Sequence, residues 1–257
     1  MRQLPVTIIV AEPKTSNLVA IGQNAEEDIL LSQYFHDRLE AEKEMLPEGE
    51  RFVISEGTHL LETFPGKINS PDVLKQIQAH QVDAIAVFGT SIIKEPLLST
   101  FEGRMINLHL GVSPYYRGSG TNFWALHNED LHLVGATLHY IDPGIDSGEI
   151  ICHVSTDIIQ NDTPHTIGTR VIREGSETMV RVLQLLEQDK IVSTPQWHPA
   201  NGVLCRRRDF TAEILRELLA RWDDGLVRRF LDRQAKTQIQ DAYLIPLPND
   251  ATNSQDK

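Results

Sequence analysis

The run Val6-Thr7-Ile8-Ile9-Val10-Ala11 is apolar and largely β-branched, with no polar alternation. Such a run reads as a strand buried on both faces, the kind a parallel sheet needs. Two more runs follow, Ala84 to Phe88, ended by Gly89, and Met105 to Leu110. Helix signals lie between them. Ala25 to Met45 carries Ile29, Leu30, Tyr34 and Leu39 at helical spacing and is stopped by Pro47-Glu48-Gly49, and Arg51 to Ile54 suits a short second strand. Ser70-Pro71-Asp72 is a capped helix start, with Ser70 as cap, Pro71 at the first helical position and Asp72 at the positive end of the helix, which is expected to run to about Gln81. This alternation predicts an α/β chain with a mostly parallel, Rossmann-like sheet and helices on both faces.

Further along, Leu133 to Ile141 and Glu149 to Val154 read as strands joined by the turn Pro143-Gly144-Ile145-Asp146-Ser147-Gly148. Thr163-Pro164 opens a long helix with Ile167, Val171, Val182, Leu183 and Leu186 on one stripe. Residues 1–190 are therefore expected to form the main, catalytic domain. From Pro195 the composition shifts, and Asn201-Gly202 between Gln196-Trp197-His198 and Val203 to Arg206 is a hairpin signal. A helix from Asp209 or Thr211 to about Leu231 completes a small C-terminal β-hairpin and helix subdomain over 191–245, with 246–257 a polar tail. Val203, Leu204, Leu215, Leu218, Leu219 and Phe230 suit either a cap over an acceptor pocket or a homodimer contact.

A formal net charge of -12 disfavours nucleic acid as a partner, because phosphate binding needs concentrated Lys and Arg. The local cluster Arg206-Arg207-Arg208 reads as a solvated strand face. Cys152 and Cys205 form no Cys-x-x-Cys pair, and no histidine spacing suggests a metal site, so no metal is expected. The first apolar run is too short for a signal-peptide core or a membrane span. The expectation is a cytoplasmic protein without a membrane partner.

Ligands of open parallel sheets bind outside the carboxyl ends of the strands. There the Met105 to Leu110 strand carries Asn107 and His109, two apart and so on one face. The glycine-flanked turn supplies Asp146. An amide donor, an imidazole and a carboxylate suffice for acyl transfer to an amine: Asn107 donates to the oxyanion, worth ~3 kcal/mol when preorganised. His109 donates to the same oxygen or protonates the departing nitrogen, while Asp146 polarises His109 or takes the amine's proton through a water. An uncharged amine is already nucleophilic, so no Ser or Cys is required.

The strings Ile106-Asn107-Leu108-His109-Leu110-Gly111-Val112-Ser113-Pro114-Tyr115-Tyr116-Arg117-Gly118 and Gly135 to Ile150 together resemble the folate-dependent formyltransferase family. The resemblance covers roughly Val82 to Glu187 and rests on Asn-x-His, a Pro-containing loop ending in Arg-Gly, and a spaced Asp-x-Gly turn. It implies Asn107, His109 and Asp146 as catalytic residues and 10-formyltetrahydrofolate as donor. Backbone of Thr90, Ser91, Ile92 and Ile93 after Gly89 would form one wall of the pterin pocket, and Ile141, Asp142 and Gly144 the other. His139 falls on a histidine found near the site in some members. Within the family, Tyr115-Tyr116-Arg117-Gly118 before Asn122-Phe123-Trp124 is most similar to nucleotide-sugar N-formyltransferases. That likeness implies a small-molecule amine acceptor, such as an amino sugar on a nucleotide, met by Tyr115, Tyr116 (stacking), Arg117 (phosphate or carboxylate) and His139. The loop departs from the common Ser-Leu-Leu-Pro form, reading Leu-Gly-Val-Ser-Pro, and Glu12 after the first strand is a poor phosphate cradle. A formyltetrahydrofolate hydrolase and a non-catalytic folate-binding relative are the alternatives.

Overall fold

The computed structural model describes residues 4–13, 25–44, 54–236 and 243–247. In chain order the elements are β1 (Ile8–Ala11), α1 (Ala25–Glu44), β2 (His59–Glu62), α2 (Pro71–Ala79), β3 (Ile85–Val87), α3 (Leu97–Thr100), β4 (Met105–His109), β5 (Tyr116–Gly118), α4 (Thr121–His127), β6 (Gly135–Tyr140), β7 (Ile150–Ser155), α5 (Pro164–Glu187), β8 (Val203–Cys205), α6 (Ala212–Asp223) and α7 (Leu226–Lys236). The chain is mixed α/β, as the alternation of patterns predicts. Parallel pairing joins β1 to β2, β3 to β4 and β5 to β8. The four-stranded sheet runs β3-β4-β6-β7, and its β4-β6 and β6-β7 pairs are antiparallel. The β6-β7 link, residues 141–149, holds no crossover helix, so it can join only antiparallel neighbours.

Local chemistry explains the helix starts. The Ser70 side chain accepts from Val73 N–H with Pro71 in the first turn. Thr163 and Thr166 form a reciprocal capping box, each side chain accepting from the other's backbone N–H at 3.1 and 2.9 Å. The α5 stripe Ile167, Val171, Met179 and Val182 is buried against Leu108, Ala136, Leu138 and Cys152 of the sheet. Gly175 lies where the two layers touch: a Cβ there would stand 2.7 Å from Leu108 Cδ1. A second cluster of Val73, Ile77, Val87, Ile93, Leu97, Phe101 and Met105 packs α2 and α3 against β3 and β4.

Several expectations change. The apolar stripe of α1 is Leu30, Leu31 and Tyr34, packed with Ala212, Leu215, Phe123 and Phe210, whereas Ile29 is 70% and Leu39 49% exposed. Asn201-Gly202 turns the chain without making a hairpin. Gly202 N–H donates to Pro199 O, and β8 then pairs in parallel with β5, Tyr116 opposite Val203 and Gly118 opposite Cys205. That approach is close enough that a Cβ on Gly118 would lie 2.2 Å from Cys205 O, so only glycine fits. The single expected C-terminal helix is two, because Gly225 adopts φ +82 and breaks it between α6 and α7. Leu215, Leu218 and Phe230 are buried within the chain, which removes them from any dimer contact, while Leu204 stays 43% exposed. Leu244 and Leu247 pack on the main core, and Ile245 exchanges two bonds with His153: N–H to Nδ1 at 2.8 Å, and His153 N–H to Ile245 O at 2.8 Å. The chain from Tyr243 thus straps β7, although the sequence offered 246–257 as a polar tail. Met45, the stop at Pro47 to Gly49, most of the strand expected over 51–54 and residues 248–257 lie outside the described residues; β2 falls instead at His59–Glu62.

Overpacking the α5–sheet contact tests this arrangement. Gly175→Val is expected to cost roughly 1–3 kcal/mol, read as a lower urea midpoint with an unchanged slope; full stability would show that α5 does not sit this close to Leu108.

Candidate active site

Antiparallel pairing brings the polar residues together. Asn107 lies opposite His139 and His109 opposite Thr137 in the β4-β6 register. Directly opposite residues share a face, and so do residues two apart. All four side chains therefore project from one face of the sheet, while Ile106, Leu108, Ala136 and Leu138 project from the face that α5 covers. Thr137 Oγ1 donates to Gly111 O at 2.6 Å and accepts from Ser113 N–H at 2.9 Å, fixing the loop after β4.

Onto that face folds the β6-β7 turn. Asp142 organises it, accepting from Gly144 N–H at 3.1 Å and from Ser147 Oγ at 2.9 Å. Asp146 takes the left-handed conformation at φ +47, which Asp tolerates better than most residues. Gly148 admits no side chain, since a Cβ would stand 1.8 Å from Tyr140 O. The Asp146 carboxylate then meets four groups: Gly118 N–H at 2.9 Å, Asn107 Nδ2 at 3.4 Å, His109 Nδ1 at 3.5 Å and His139 Nε2 at 3.7 Å.

The hydrogen-bond partners assign protons to the rings. His139 Nδ1 faces Tyr140 O at 2.8 Å and must donate there, leaving Nε2 to accept from Asn107 Nδ2 at 3.2 Å. Asn107 thereby spends one N–H on His139 and points the other along the longer path to Asp146. His109 Nε2 donates to Tyr116 O at 3.2 Å, so its Nδ1 lone pair faces the carboxylate. Burial pushes the His109 pKa below the ordinary histidine value despite the Asp146 charge, and His139 pushes it down further. Burial alone would raise the Asp146 carboxyl. Either ring, once it carries a proton on the side facing the carboxylate, and the Gly118 N–H outweigh it and hold Asp146 below its ordinary range.

The other residues singled out from the sequence are placed as follows. The 89–93 loop is clamped from outside: Ser91 N–H donates to Glu12 Oε2 at 2.8 Å, and Asn69 Nδ2 donates to Ile92 O at 2.9 Å. Glu12 also accepts from Ile68 N–H at 3.1 Å, so its carboxylate ties the start of that loop to the segment before α2. Thr90 Oγ1 donates to Ser91 O at 3.0 Å, Ile93 is a core residue, and Ile141 N–H continues the sheet to Met105 O. Tyr116 corrects an expectation. It is 1% exposed and its hydroxyl donates to Asp130 Oδ2 at 2.6 Å, so it cannot stack on an acceptor. His139 is 2% exposed and meets Asn107 rather than solvent. Tyr115 is half-buried, edge-on to Trp197 at 5.9 Å. Arg117 is half-buried in the β5-β8 pair, and its side chain makes no hydrogen bond or ion pair among the described residues. The sequence did not point to Gln196, whose Nε2 donates to both Asp146 O at 2.8 Å and Gly148 O at 2.9 Å. Nor did it point to the Gly118 N–H.

A sequence profile described as formyl transferase matches residues 40–183, more than half of the chain. The chain belongs to the formyl transferase family. Methionyl-tRNA formyltransferase of Synechococcus elongatus is 32% identical over 49% of this chain and 38% of its own length. Phosphoribosylglycinamide formyltransferase of Bacillus subtilis is 32% identical over 38% of this chain and 51% of its own length. The matches thus span about half or less of these family members. Among solved structures, the formyltransferase PseJ from Anoxybacillus kamchatkensis, crystallised with UDP-4,6-dideoxy-4-formamido-L-AltNAc and tetrahydrofolate, is 24% identical over 79% of this chain and 86% of its own, with a TM-score of 0.49. In this family member every side chain of the cluster from Asn107 to Asp146 lies inside the matched region, and Gln196 lies beyond it.

The buried histidines set an acid response. Burial lowers the pKa of His109, His153 and His165, so the unfolded chain binds more protons than the folded one below the ordinary histidine value. Their effect is absent well above about pH 6.5, and stability falls as pH drops below it. Asp146, depressed in the fold, adds a further loss only in the carboxylate range. Thermal melts from pH 8 to 5.5 should show a falling Tm, and His153→Asn should flatten the curve. A Tm independent of pH in that window would contradict the neutral assignment of these rings.

Proposed function

We propose that the chain transfers a formyl group from 10-formyltetrahydrofolate to the primary amine of a small molecule. The observation that carries this reading is the convergence of Asn107, His109 and Asp146 on one face, with the carboxylate 3.4 Å from the amide and 3.5 Å from the imidazole. The donor supplies the formyl carbon. The amine nitrogen bonds to that carbon, the bond to the donor nitrogen breaks, and the proton the amine loses is the one the departing nitrogen gains.

Each residue has a part suited to its surroundings. The weaker of Asn107's two bonds, that to Asp146, is the one to yield when negative charge develops on the formyl oxygen; the bond to His139 keeps the amide aimed. His109 is held neutral, so Nδ1 can take up a proton while the Asp146 carboxylate beside it stabilises the imidazolium. That proton then serves the departing nitrogen. Support for a flat heteroaromatic donor comes from the apolar surface that Phe64, Phe88, Ile92 and Ile145 expose on the loops after β2 and β3 and on the β6-β7 turn. We favour as acceptor an amino sugar carried on a nucleotide, because Arg117, adjoining Gly118, is a half-buried cation that suits a phosphate, and the half-buried Tyr115 and Trp197 rings, in contact with each other, suit a base or sugar. The expected setting is the cytoplasm, and among the described residues no helix is long and apolar enough to cross a membrane.

Calorimetric titration with a stable 10-formyltetrahydrofolate analogue should give micromolar binding to the wild type and to Asp146→Asn alike. Absence of binding to both would remove the proposed donor. In turnover assays with amino-sugar nucleotides, Asp146→Asn and Asn107→Ala should each lower kcat by roughly a hundredfold or more. Near-full activity of Asp146→Asn would take proton handling away from that residue. Formate release without an acceptor would make the chain a hydrolase. Arg117→Ala should raise the KM for a phosphorylated acceptor with little change in kcat; an unchanged KM would exclude Arg117 from acceptor binding.

A further inference from the structure

The Asp146 turn is held from outside itself. Its internal bonds, from Ser147 and Gly144 to Asp142, shape the first half of the loop and leave the carbonyls of Asp146 and Gly148 pointing away from it. Both carbonyls accept from one group, Gln196 Nε2, at 2.8 and 2.9 Å. Two carbonyl acceptors fix the orientation of that amide, since turning it over would set oxygen against oxygen. Gln196 is itself anchored: Thr194, two residues earlier, exchanges N–H and carbonyl bonds with Ile150, both at 2.8 Å. Seven residues after Gln196 the same segment becomes β8, which pairs with β5 and so places the Gly118 N–H on the Asp146 carboxylate. The segment therefore grips Asp146 twice, by its backbone carbonyl through Gln196 and by its carboxylate through Gly118.

We propose that Gln196 is the positioning residue of Asp146, setting the backbone from which the carboxylate reaches Asn107, His109 and the Gly118 N–H. The assignment rests on the formyl-transfer reading for its effect on turnover, and on geometry alone for its effect on Asp146. A left-handed Asp at φ +47 has neighbouring backbone wells open to it once the two carbonyls are released. Rotation into one of them withdraws the carboxylate from Gly118 N–H and from the imidazole together. Gln196 touches no reacting atom in this scheme; it acts through Asp146.

The test replaces Gln196 by Met, similar in size but without donors. In Gln196→Met, kcat should fall roughly ten- to a hundredfold, the scale of a reacting group displaced by about 1 Å. KM for donor and acceptor should stay within about twofold, since uniform binding is untouched. The carboxyl carbon of Asp146, followed by NMR and assigned through Asp146→Asn, should titrate at higher pH in the variant than in the wild type, because it has lost the Gly118 N–H. Gln196→Asn, one methylene too short to reach both carbonyls, should show the same changes in smaller measure and carries the test if the Met variant does not fold. Unchanged kcat with an unmoved Asp146 titration in a folded variant would overturn the proposal. The titration needs no substrate. A shifted Asp146 in a chain that transfers no formyl group would sustain the positioning role and overturn the activity, whereas an active chain with an unmoved Asp146 would overturn the positioning role alone.

Discussion

The register of β4 against β6 sets Asn107 opposite His139 and His109 opposite Thr137. Because side chains alternate along a strand, a slip of one residue would carry the polar pair of the slipped strand into the layer now filled by Ile106, Leu108, Leu138 and α5. The hydrophobic face thus fixes the polar face. Leu108 packed to within side-chain contact of Gly175 secures the one, and the amide-to-imidazole bond from Asn107 to His139 follows on the other. No part of the cluster has to find its own position; the Asp146 turn alone is brought in from elsewhere.

Much of this was legible from the residues. The apolar runs announced β1, β3 and β4, and Ser70-Pro71 and Thr163-Pro164 announced α2 and α5, because in each case the signal is local, although of the three strands only β4 is buried on both faces: β1 is half-buried throughout and Ala86 of β3 is exposed. Asn107, His109 and Asp146 stood out because an amide, an imidazole and a glycine-flanked carboxylate are costly at the ends of buried strands unless they are used. What escaped was non-local. Asn201-Gly202 reads as a hairpin, yet β8 finds its partner in β5, far back in the chain. Tyr116 reads as a loop aromatic, yet its ring is buried in the core, and its hydroxyl donates to Asp130 and accepts from the Asn128 amide. Gln196 carries no pattern at all, since its meaning lies in two carbonyls that only the folded turn presents side by side.

The electrostatics follow from the same packing. A desolvated His109 stays neutral beside a carboxylate that would otherwise charge it, while Asp146 stays ionised as it accepts from the Gly118 N–H and the Asn107 amide. Both groups thus stand deprotonated 3.5 Å apart, the imidazole because it is desolvated and the carboxylate because hydrogen bonds outweigh its burial. His153, on the far side of Ser113, is bound into neutrality in a different way: Nε2 donates to Ser113 O at 2.6 Å and Nδ1 accepts from Ile245 N–H. A proton added there has an N–H to face rather than an acceptor.

The strap from Tyr243 to Leu247 and the strand β8 have a further effect. Each covers the flank of a strand whose N–H and carbonyl groups would otherwise face solvent, Ile245 along β7 and Val203 to Cys205 along β5. A fragment trimmed to the region shared with the relatives would uncover both flanks at once and offer them to other chains as templates for strand addition. In this chain, β8 and the strap, both beyond residues 40–183, act as edge guards for β5 and β7.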